Sequence, residues 1–150
     1  MSGIINSAGS KSGVIGYTEL SSTEWTDYYS SSTITGWGSV SNPILCYRRI
    51  GTLIYINFYL SGVSNHTNAE FTLPYANKST PVGNYVVPNF GECQDNGSQL
   101  LHGGGSGNID GYLAPSGSSV ICRIGKSASG WTNSGDKRIT GFFIYEANSV

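Results

Sequence analysis

Residues 44–62, ILCYRRIGTLIYINFYLSG, constrain the fold of this chain more than any other stretch. Two apolar runs meet at Gly51-Thr52, and glycine in the first place of a two-residue loop suits the tight turns whose twist matches paired strands. In the second run Ile54, Ile56, Phe58 and Leu60 alternate with Leu53, Tyr55, Asn57 and Tyr59. Successive side chains of a strand point to opposite faces, so the first set is expected to be core and the second to point outward.

The rest of the chain repeats this pattern in shorter pieces. Its 21 glycines and ten tyrosines, among abundant Ser, Thr and Asn, describe a β-rich protein with many turns. Further strands are expected at 70–73, closed by Pro74, and at 84–87, 99–102, 108–113, 118–124 and 138–146, with one or two short ones before Ser41. The expected fold is all-β: an antiparallel β-sandwich, jelly-roll-like, formed by residues 17–150. Residues 1–16 hold Gly3, Gly9, Gly13 and Gly16, too many for a stable helix, and are expected to form an extended N-terminal arm.

Charge and cysteine content remove several classes of function. Eight basic and nine acidic residues leave a net charge of −1, too weak a field to gather nucleic acid or anionic membrane. No apolar run reaches the ~18 residues of a membrane span, and Ile4-Ile5 is too short for the apolar region of a secretory signal, so neither membrane insertion nor standard export is expected. Cys46, Cys93 and Cys122 are odd in number and far apart, which suits small buried hydrophobes better than a disulfide framework or a zinc site. The sequons at Asn65, Asn77 and Asn96 are what chance gives in a chain so rich in Asn, Ser and Thr.

Catalytic constellations fail on spacing. SAGSKSGVIG lacks the G-x-x-x-x-G-K-[ST] order of a phosphate loop. HGGGSG at 102–107 resembles an oxyanion loop, but no G-x-S-x-G nucleophile motif accompanies it. His66 and His102 lack metal-ligand spacing and read as exposed loop residues. Glu24 with Asp27, or Glu92 with Asp95, are carboxylate pairs that any nine acids would provide. No catalytic residue, metal or cofactor is therefore expected.

Binding has more support. Trp25, Tyr28, Tyr29, Trp37, Tyr112 and Trp131 lie in Gly/Ser-rich settings, where an aromatic face can stack on a sugar while groups such as Asn133 and Asp136 meet its hydroxyls. The competing reading is that these rings cap the sandwich or fill a subunit interface.

In RITGFFIYEA, Phe142 and Ile144 lie on one face and Phe143 and Tyr145 on the other, so both faces of the last strand are apolar. A sandwich solvates its outer faces. The expected covering is a second copy of the chain against an interface of Leu53, Tyr55, Tyr59, Phe143 and Tyr145, the alternative being a loop folded over that face.

YRRIGTLIYINFYLSG, followed by FTLPY and later ITGFFIYEA, resembles the β-sandwich domains of fibre tips and other virion proteins of tailed bacteriophages, over roughly residues 47–146. GIINSAGSKSGVIG is similar to the opening of small structural proteins of marine phages. The resemblance implies a non-enzymatic, homotrimeric virion component assembled in the host cytoplasm. Its arm would attach to other virion proteins through Ile4, Ile5, Val14 and Ile15, and its sandwich would face host-surface glycan as a receptor-binding, host-attachment module. The chain has no repetitive shaft or heptads. That fits a short tail fibre, a mounted tip subunit or a capsid decoration protein, and a stand-alone lectin-like carbohydrate-binding module is a further reading.

Overall fold

The structure, a computed structural model, describes residues 22–78, 89–100, 109–113, 121–126 and 130–148. Gly51, at φ 60°, makes the two-residue turn between β4 (Ile44–Ile50) and β5 (Leu53–Ser64), whose ends pair as Ile50 with Leu53. Before them come β1 (Thr26–Asp27), a single 3-10 turn at Tyr29–Ser31, β2 (Ile34–Thr35) and β3 (Trp37–Val40). After them come β6 (Glu70–Thr72), β7 (Asn89–Asp95), β8 (Ser98–Leu100), β9 (Ile109–Leu113), β10 (Ile121–Lys126) and β11 (Asp136–Glu146).

These strands form two antiparallel sheets packed together as an all-β sandwich, and the chain passes between the sheets several times. The larger sheet runs β1-β4-β5-β11-β7-β8, with β3 also paired to β5, and the smaller runs β2-β6-β10-β9. In the larger sheet the central strand β11 pairs with β5 along its whole length, from Asp136 with Val63 to Glu146 with Leu53.

The core follows the period of two. Ile54, Ile56, Phe58 and Leu60 are each no more than 1% exposed. Phe71 of the smaller sheet meets them, its ring 5.4 Å from that of Phe58 and 6.3 Å from that of Phe143. Each such side chain taken from water contributes about 1.5–3 kcal/mol before the entropy of ordering it is subtracted. Cys93 and Cys122 are buried, Cys46 is half-buried, and all three are free thiols.

The last strand corrects one expectation. Phe143 and Tyr145 are interior, each 3% exposed, and Phe142 and Ile144 are the outward pair, at 53% and 41%. Register is the reason: Phe143 faces Ile56 and Tyr145 faces Ile54, both core positions, while Phe142 and Ile144 face Asn57 and Tyr55. Strand β7 occupies a segment where none was expected. The expected strand at 84–87 and the arm carrying Ile4, Ile5, Val14 and Ile15 lie outside the described residues.

Candidate functional site

Among the described residues the six large apolar side chains that remain exposed, Trp25, Ile44, Leu53, Val63, Phe142 and Ile144, all lie on or beside the outer face of the larger sheet. Register arranges them. One row across the sheet reads Arg48, Tyr55 and Ile144, and the next reads Asp27, Cys46, Asn57 and Phe142. Trp25, Tyr55, Asn57 and Phe142 border an open hollow of about 310 Å3 whose floor is the backbone around Ile56 and Phe143. Trp25 and Phe142, both about half exposed, stand up beside it.

Two ion pairs stand at this face. Glu146 is held by Lys78 at 2.7 Å and Arg138 by Glu92 at 2.8 Å. Arg48 and Asp27 lie on this face too, with Asp136 exposed opposite Val63 and Glu24 exposed beside Trp25. Cys46 sits in the middle, where burial first and Asp27 second raise its thiol above the ordinary cysteine range. Leu53, Tyr55 and Tyr59, expected on an interface, do lie on this face, Leu53 exposed and the two tyrosines half-buried.

A second grouping closes one end of the sandwich. Lys137 is fully buried, and its ammonium donates to the carbonyl oxygens of Gly36 at 3.0 Å, His66 at 2.7 Å and Asn68 at 3.1 Å. It also lies 5.3 Å from the ring centre of Trp37 and 5.6 Å from that of Trp131. Three acceptors match its three N–H groups, and two indole faces favour the charge. Burial pulls its pKa down to about 8 against the upward pull of Asp95. Asp95 is itself buried, and its carboxylate accepts from the backbone N–H and hydroxyl of Thr132.

This arrangement corrects the sugar-stacking expectation for three of its six rings. Trp37 and Trp131 are 7% and 2% exposed, turned inward because their indole N–H groups donate to the carbonyls of Lys137 and Ile124. Tyr28 is 6% exposed, packed edge-on against Tyr47, and burial raises its phenol far above the usual range. Tyr29 is half-buried, Asn133 and Asp136 are exposed, and Trp25 is the ring that stays open to solvent. Of Tyr112 only the backbone, in β9, is described. The loop 130–136 is tied to its neighbours by hydrogen bonds from Ser64 N–H to Gly135 and from Trp131 N–H to Thr67.

The HGGGSG stretch and His102 lie outside the described residues. His66 is exposed and its Nδ1 accepts from the Asn68 N–H. Glu92 is engaged by Arg138 on the surface while Asp95 is turned inward on Thr132. Among the described residues no cluster of three His, Cys, Asp or Glu side chains could hold a metal ion, and no helix is long and apolar enough to cross a membrane. Lys137 was missed because a lone lysine reads as surface, although its even spacing from Ile139, Phe143 and Tyr145 places it on their face. No family model, curated protein or solved structure matches the chain.

Proposed function

We propose that this chain is a non-enzymatic, self-assembling subunit of a tailed-phage particle, of the fibre-tip or receptor-binding kind. The observation that carries the reading is the outer face of the larger sheet. The described strands bury a shared core between the sheets, yet Trp25, Ile44, Leu53, Phe142 and Ile144 remain exposed together, and a contiguous apolar area of this kind marks an interaction surface. In this reading the subunit is a homotrimer, residues 1–16 attach it to other virion proteins, and polar loops at the Lys137 end, with Asn133 and Asp136, meet host-surface glycan.

Light scattering on the full chain tests it. The expected mass is three times the 15.9 kDa of one chain, and a monomer at every concentration overturns it. One observation favours the second reading, a capsid decoration protein that stabilises the shell: Trp37 and Trp131, the expected stacking rings, are spent on Lys137. Labelled protein that binds none of an array of bacterial surface polysaccharides, while still assembling, selects decoration over receptor binding.

A further inference from the structure

Resting on the self-assembly reading, we infer that copies of this chain meet through the outer face of the larger sheet, with the Phe142 ring of one copy seated in the Trp25–Tyr55–Asn57 hollow of the next. Shape is the first argument. The projecting ring and the hollow of about 310 Å3 lie side by side on one face, so each copy can give its ring to one neighbour and receive a ring from the other, the head-to-tail contact by which a three-fold ring closes. Charge is the second. The flanking ions are balanced, Lys78 with Glu146 and Arg138 with Glu92, which offers no attraction to a strongly charged partner. An aromatic, weakly charged centre inside a polar rim is the anatomy of a protein interface.

Area is the third argument. Strands β1, β4, β5 and β11 hold 2, 7, 12 and 11 residues, which at ~3.4 Å per residue and about 4.8 Å between strands give a face of roughly 500 Å2 in projection. Two such faces together reach the ~1,000 Å2 that a specific interface should clear. A copy of the same face supplies an equal area with the same balance of charge.

Cys46 is the built-in probe. It sits mid-face beside Asn57, half-buried, while Cys93 and Cys122 are 1% and 0% exposed. Native full-length protein is treated with a maleimide at mildly alkaline pH, beside the Phe142→Asp variant, with light scattering on both. Expected are an assembled wild type whose Cys46 resists labelling and a folded, monomeric Phe142→Asp whose Cys46 is labelled. An assembled wild type whose Cys46 reacts as fast as the variant's overturns the assignment of the face and leaves self-assembly standing. So does a Phe142→Asp protein that stays assembled. A monomeric wild type overturns both. If Phe142→Asp does not fold, Leu53→Lys, exposed at the hairpin end of the same face, replaces it with the same expected outcomes.

Discussion

Lys137 shows how one residue can set the state of several loops. Its ammonium joins β11 to carbonyls on either side of two separate connections, Gly36 and His66 to Asn68. Lys137→Met leaves those three acceptors facing a thioether, and the expected loss is about 3–5 kcal/mol of unfolding free energy by urea titration. A loss below about 1 kcal/mol would show that the carbonyls find water instead. The pH dependence follows from linkage. The folded lysine releases its proton near 8 and the unfolded one near the ordinary 10.5. Between those values the unfolded chain binds more protons, so stability rises with pH, whereas below about 8 both forms are charged and this group gives no slope. The wild-type unfolding free energy minus that of Lys137→Met should therefore climb from about pH 8 to about pH 9.5. The raised Cys and Tyr groups act in both proteins and cancel, and a flat or falling difference contradicts the assignment. None of this was legible from composition. GWTNSGD and TGWGS read as surface because of their small polar neighbours, and the charge that meets both indoles, Lys137, lies a hundred residues from Trp37 and, although it directly follows GWTNSGD, reads as one more surface lysine.

At the level of the strand, alternation was legible and its phase was legible only in part. β5 announces its own core face, with four aliphatic or aromatic side chains against a set containing Asn57. β11 is apolar on both sides around Phe142–Tyr145, so sequence alone could not choose; pairing with β5 chose. The consequence is a sharp contrast between adjacent positions. Tyr145 is buried and its hydroxyl donates to the Tyr75 carbonyl at 2.8 Å, so Tyr145→Asp should abolish the cooperative unfolding transition by burying an unpaired carboxylate. Phe142→Asp, one residue away, should keep that transition within about 1 kcal/mol of the wild-type subunit. Circular dichroism melts of both variants check the pair, and equal damage would mean that the register is wrong. β7 went unseen for a related reason. Its Asn89–Asp95 sequence offers Cys93 and little other apolar alternation, and its edge on β11 supplies the pairing that makes it a strand.

At the scale of the molecule, the two-sheet sandwich was legible because turn residues and period-two runs recur along the whole chain. The outer covering was legible only as a need, since an apolar face states that something covers it and leaves the partner to geometry. If copies cover it, association adds to the stability of the folded subunit by mass action, and the melting temperature of the wild type should rise with protein concentration while that of Phe142→Asp stays constant. A concentration-independent wild type would detach the face from assembly. The position of β11 has a further consequence, one of timing. It is the latest strand in chain order among those described, yet it lies between β5 and β7 and is the link by which β4-β5 joins β7-β8. During synthesis the larger sheet stays in two halves until residues 136–146 leave the ribosome. The same residues bring Phe142 and Ile144, so a nascent or truncated chain lacks both the closing strand and the ring that enters a neighbour, and only finished subunits can be recruited.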